Sequence, residues 1–240
     1  MNTVSFSLDA VAANPRVKLV RSFAELVSTP WGEGVNALCW PRQLDGDFEE
    51  IVKAVGSIEE ITGLDEEDLR SLDLSAAGQL ARRVLIQDLR RLEDHGLQPN
   101  LDCIPAYPRD GKSSLVPIDV YGFHVDSAPV LADTYLCSYT VAASEGVANE
   151  LARCCVDIPD IRATLWREYG GDDLEAFKVF LAERFYDLHY VAHEGAPVYG
   201  FGLGNLWRIA NACPGSPVPP CIHRAPTTEA GALPRLLLIS

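Results

Sequence analysis

The sequence predicts an α+β fold, and three observations carry that expectation. The first half reads with helical periodicity. The second half is rich in the β-branched and aromatic residues that suit strands, and one amphipathic helical stretch interrupts it. A chain of 240 residues, 48% hydrophobic and 22% charged, has material for one large domain with a sizeable core. We therefore expect a single domain over 1–240. In it a mainly helical part, 1–114, packs on a β-rich core, 115–240, with a helical insertion at about 160–190.

Each element has a local reason. "VNALCW" (35–40) is a short strand candidate closed by Pro41, and "DFEEIVKAV" is a short helix with its acids early, where the helix dipole favours them. The clearest helix is "SAAGQLARRVLIQDLRRLEDHG". There Leu80, Val84, Leu85, Leu89 and Leu92 form an apolar stripe, Ser75 is the N-cap and Gly96 the stop, and the arginines face water. "LVPIDVYGFHVD" and "ADTYLCSYTVA" read as strands. "DDLEAFKVFLAERFYDLH" aligns Leu174, Phe177, Leu181, Phe185 and Leu188 on one helical face. "APVYGFGLGNLWRIA", "CIHRAP" and "RLLLIS" return to strand composition. The alternating Gly200, Gly202 and Gly204 leave room for a backbone or ligand to approach.

The formal net charge of −14 repels phosphate backbones and anionic lipid heads, so neither nucleic acid nor a membrane surface is an expected partner. The N-terminal segment lacks the basic and apolar regions of a secretory signal, and no apolar run reaches membrane-spanning length, so a cytoplasmic location is expected. Seven cysteines without a CxxC pair fit reduced core thiols.

Alternation along a strand puts His124 and Asp126 on one face and Phe123 and Val125 on the other. An imidazole beside a carboxylate is two thirds of a facial 2-His-1-carboxylate metal site. The remaining histidine must come from elsewhere in the chain. His95 lies at a helix end, and His189 with His193 follows the second amphipathic helix, where a solvated terminus is the expectation. His223 lies just before the terminal strand, twelve residues ahead of Arg235. An arginine on the inward face of that strand requires an anion. A carboxylate-bearing cosubstrate would serve, held by the guanidinium fork.

The order HVD (124–126), then His223, then Arg235 resembles the Fe(II)/2-oxoglutarate-dependent dioxygenase superfamily, which carries HxD…H and a later basic residue on a double-stranded β-helix. The "CIHRAP…PRLLLIS" ending is similar to those of bacterial members of the DUF1826 type. The resemblance covers residues 115–240. It implies a jelly-roll core flanked by helices that come mostly from the N-terminal half. His124, Asp126 and His223 would be ligands of Fe(II), and Arg235 would bind the distal carboxylate of 2-oxoglutarate. The activity it implies is hydroxylation or a related oxidation of a small molecule by O2, with release of succinate and CO2. Asp126 separates the chain from the superfamily's halogenases, which lack this carboxylate.

Tyr135 and Tyr139 share a strand face and are further candidates for the cosubstrate. Glu145 and Asn149 in the polar stretch "SEGVANE", together with Arg224 and Trp207, are candidates for substrate contact. Packing is the competing role for Trp207, and an ion pair for Arg224. Two other classes fit the same residues: a zinc-dependent hydrolase using the same ligands, and a non-catalytic jelly-roll binding module. Self-association into a homo-oligomer stays open.

Overall fold

A computed structural model describes residues 4–109, 115–185, 187–227 and 231–240. The first half folds in the order α1 (Leu8–Ala12), β1 (Val17–Leu19), α2 (Phe23–Ser28), β2 (Ala37–Trp40), α3 (Phe48–Val55), β3 (Thr62–Gly63), α4 (Glu66–Ser71), α5 (Ala76–Asp94) and β4 (Asn100–Ile104). The second half continues with β5 (Phe123–His124), β6 (Asp133–Ser138), β7 (Glu145–Val147), β8 (Ala152–Cys154), α6 (Pro159–Tyr169), α7 (Leu174–Arg184) and β9 (His189–Ala192). It closes with β10 (Val198–Gly200), β11 (Leu206–Ala210), β12 (Ile222–Arg224) and β13 (Arg235–Ile239).

The fold is α+β with two mostly antiparallel sheets. One has seven strands in the order β1-β2-β11-β6-β13-β4-β3, and the other has six in the order β10-β7-β12-β5-β9-β8. The first half is less separate than its helical periodicity suggests, because β1 to β4 supply four of the seven strands of the larger sheet. The expected boundary at 114 falls in 110–114, outside the described residues. No helix among the described residues is long and apolar enough to cross a membrane.

Burial follows the pleat. Leu236 and Leu238 of β13, with Tyr135, Cys137 and Tyr139 on and just beyond β6, pack against the helices α2 to α5. Leu237 of β13, Leu136 of β6, and Trp207 and Ile209 of β11 pack between the two sheets with Tyr199 and Phe201. The outer face of the smaller sheet buries Phe123, Val125, Val147 and Ile222.

The caps form as expected, with Ser75 accepting from the Gly78 N–H at the start of α5. The buried stripe of α5 is rotated from the expected one. Ala81, Leu85, Asp88, Leu89 and Leu92 face the sheet, while Leu80 is 40% exposed. In α7, Phe177 and Leu181 are buried and Leu174 at its first turn is exposed. The bare backbone at Gly200 is approached by the chain's own N-terminal segment, since a Cβ there would lie 2.4 Å from the Val4 carbonyl oxygen.

Candidate metal centre

β5 and β12 are antiparallel neighbours whose register sets His223 directly opposite His124. Paired residues share a face of a sheet, so both imidazoles point between the sheets. Asp126, two residues beyond His124, joins them. The ligating atoms of His124, Asp126 and His223 all lie within 4.8 Å of one another, and this cluster could hold a metal ion. Asp126 Oδ1 is 3.9 Å from His124 Nε2 and 3.7 Å from His223 Nε2.

The backbone selects the nitrogen that each ring offers. His124 Nδ1 lies 2.9 Å from the Gly122 carbonyl, and His223 Nδ1 lies 3.3 Å from that of Cys221. A carbonyl can only accept, so each Nδ1 carries the proton and each Nε2 lone pair faces Asp126. Burial, and then the neighbouring His223, holds the His124 imidazole down to about 4, which keeps it neutral and ready to ligate at neutral pH. The two rings are almost covered, while the Asp126 side chain remains 30% exposed, so the cluster is open on its carboxylate side.

A second layer of groups orients the carboxylate. Thr134 Oγ1 donates to Asp126 Oδ2 at 2.8 Å, and the buried Asn211 side chain lies 2.9 Å from the same hydroxyl. A hydroxyl has one proton. With that proton on Asp126, the amide of Asn211 must turn its NH2 toward Thr134, giving a relay from amide to hydroxyl to carboxylate. Gly146 sits opposite His223 in the sheet, and a Cβ there would meet the Tyr199 ring at 2.4 Å.

Arg235 lies on the same inter-sheet side. β13 pairs with β6, and both Ser138 of β6 and Ser144 receive hydrogen bonds from Arg235 Nη2, at 2.7 and 2.9 Å. Thr134 and Ser138 are four residues apart on β6, about 13 Å at about 3.3 Å per residue. One strand face thus bonds the metal cluster at one end and the arginine at the other. Arg235 is 2% exposed and no carboxylate bonds to it among the described residues. Its Nε has no partner at all among them. Burial pulls its pKa below the usual arginine value, and it also pushes the adjacent Tyr107 hydroxyl up against the pull of the guanidinium.

The other expected site residues lie elsewhere. Tyr135 and Tyr139 occupy the opposite face of β6, toward the helices, and Tyr139 donates to Asp88 at 2.8 Å. Strand alternation separates them from Arg235, and Thr134 and Ser138 hold the positions facing it. Glu145 is in β7 and not in a loop, and its carboxylate pairs with Arg224 at 2.6 Å. Arg224 lies over the Phe123 ring, which places the pair on the outer face of the smaller sheet. Asn149 bonds to Asn36 and to the Pro220 carbonyl. Trp207 is fully buried, stacks on Phe201 and donates to its carbonyl at 2.8 Å.

His189 is not at a solvated helix end. It opens β9 opposite His124, is 5% exposed, and has both ring nitrogens against backbone carbonyls, those of Asp187 and Asp119. It therefore buttresses the site without offering it a lone pair. The sequence reading missed Thr134, Ser138, Ser144, Asn211 and Tyr107. Alternation could have singled out Thr134 and Ser138 once the inward face of β6 was known.

Comparison of the chain with protein-family models, with curated proteins and with solved structures found no match.

Proposed function

We propose that the chain is an Fe(II)- and 2-oxoglutarate-dependent oxygenase acting on a small molecule. One observation carries the reading: an open His-Asp-His cluster and a buried arginine that bonds no carboxylate among the described residues both face the space between the sheets. Two imidazole nitrogens and one carboxylate oxygen suit a divalent cation and leave coordination positions free. A buried guanidinium with an unused N–H suits the far carboxylate of a dicarboxylate.

The strand order supports the same reading. With β11-β6-β13-β4 in the larger sheet and β10-β7-β12-β5 in the smaller, the strand order is compatible with an eight-stranded jelly roll. In this reading β1, β2 and β3 extend the larger sheet, and β8 and β9 the smaller.

His124, Asp126 and His223 would hold the iron, with the Asn211–Thr134 relay fixing the carboxylate. Arg235 would bind the cosubstrate's distal carboxylate, helped by the hydroxyls of Ser138 and Ser144. Phe201, Trp207 and Leu237, buried between the sheets, would keep water from that side of the interior. When bound, Fe(II) and 2-oxoglutarate supply oxidation of a C–H bond by O2, with release of succinate and CO2. The presence of Asp126 favours hydroxylation or desaturation over halogenation.

Anaerobic addition of Fe(II) and 2-oxoglutarate should give a weak visible charge-transfer band, absent in His223→Ala. Arg235→Met should weaken 2-oxoglutarate binding while leaving metal affinity close to wild type. No band, together with no succinate formed in air, would sink the proposal. Metal analysis after anaerobic purification separates it from a zinc hydrolase.

A further inference from the structure

We propose that an arginine-lined groove along α5 docks an acidic, partly apolar segment of a partner protein. The groove has a volume of about 1190 Å³ and lies between the outward flank of α5 and the loop at Gln43–Asp45, with Arg70 of α4 at its edge. It borders the helical side of the larger sheet, away from the metal cluster, so the proposal stands independently of the oxygenase reading.

Its charge runs against that of the chain. The molecule carries −14, yet five of its 20 basic residues, Arg70, Arg82, Arg83, Arg90 and Arg91, line this one groove. Local carboxylates do not neutralise them. Glu66 serves both Arg70 and Arg90, and Asp88 serves both Arg91 and the buried Arg42. One carboxylate between two guanidinium groups leaves a positive charge in each cluster. The paired Arg70 and Arg90 hold the Glu66 carboxyl below its usual range. Arg82 donates to the carbonyls of Leu69, Arg70 and Leu72, with no carboxylate partner among the described residues. Arg83 has no acidic partner among the described residues. The lining acids Asp45 and Asp94 offset only part of this excess.

Shape selects the class of anion. From Leu80 to Asp94 the groove runs about 21 Å at about 1.5 Å per helical residue. The arginines are spread along that length and do not converge on one point, as a single phosphate would need. Apolar side chains flank the arginines on both sides, Leu44, Leu80 and Val84 toward the Gln43–Asp45 loop and Ile86 toward α4. No aromatic ring lines the groove to stack a base, and the chain's overall charge repels a nucleic acid backbone. A row of carboxylates with interspersed aliphatic side chains matches both the charge and the apolar flanks.

The test uses the intact protein and a fluorescein-labelled helical peptide with glutamates spaced i, i+4 and leucines beside them, read by anisotropy. The glutamate peptide should bind, and its lysine counterpart should not. The double variant Arg83→Glu/Gln87→Glu changes two exposed positions, so its thermal melt should match wild type while peptide affinity falls roughly tenfold or more. Three results would each overturn the proposal: no binding of the glutamate peptide, equal binding of the lysine peptide, or undiminished affinity in the double variant. Tight binding of pyrophosphate alone, lost in the same variant, would replace it with a small-anion site.

Discussion

Two aspartates sit on either side of the larger sheet, Asp88 fully buried and Asp126 partly exposed, and their bonding differs in one respect. Asp88 is saturated. Arg42 and Arg91 reach its Oδ1 at 2.8 and 2.7 Å, and Tyr139 reaches its Oδ2 at 2.8 Å. Arg42 is itself completed by the Gly204 carbonyl and the Cys137 sulfur. Asp126 faces two imidazole lone pairs and receives a hydrogen bond from Thr134 on its other oxygen. One cluster has spent its bonding capacity on holding α5 to the sheet. The other keeps unused lone pairs, and nearby Arg235 keeps an unused N–H. Saturation marks a structural pin, and unspent capacity in a buried place marks a candidate site.

The largest effect is expected at Asp88. Asp88→Ala leaves Arg42 buried without its counter-charge and should cost about 3–5 kcal/mol, measured by urea denaturation. Asp126→Ala removes a partly exposed carboxylate and should stay within about 1 kcal/mol of wild type while abolishing metal binding. Equal destabilisation by the two substitutions would erase the distinction.

Acid sharpens it. An unfolded histidine titrates near about 6.5, and His124 in the fold is lowered to about 4 by burial and by His223. Between those values the unfolded chain takes up a proton that the fold refuses. Stability is therefore present above about 6.5 and is lost as pH falls toward about 4, by up to about 3 kcal/mol from this group. Urea melts of the metal-free protein at several pH values should show that slope, and His124→Gln should flatten it. An unchanged slope would mean that His124 is not held neutral.

The smallest expected effect is at Thr134. Thr134→Val keeps the shape and removes the hydroxyl that orients Asp126, so metal affinity should fall about tenfold with the ligands intact. Isothermal titration with Fe(II) or Co(II) under argon would measure it. Tyr139→Phe, on the opposite face of the same sheet, should leave that affinity unchanged.

Local rules made part of this legible in the sequence. The Ser75 cap, the position of α5, the strand at Arg235–Ile239 and the shared face of His124 and Asp126 follow from short-range spacing, which side-chain geometry obeys wherever the strand ends up. Tyr135 and Tyr139 were placed on a common face correctly, but the sequence does not say which side of the sheet that face meets. Thr134 and Ser138 stand one residue away and took the inward positions. Glu145 read as a polar loop because a buried acid is unexpected until Arg224, its partner from a distant strand, is beside it.

The sequence by itself determined the α+β class, the alternation that groups HVD, and the residue types able to ligate a metal. Tertiary structure decided what those residues meet. The pairing of β5 with β12 sets His223 opposite His124 across almost a hundred positions of chain. The pairing of β13 with β6 sets Arg235 among serines, with no carboxylate bonded to it among the described residues. Alternation is a property of one strand's backbone, whereas register and the choice of buried face depend on hydrogen bonds and packing between strands distant in sequence.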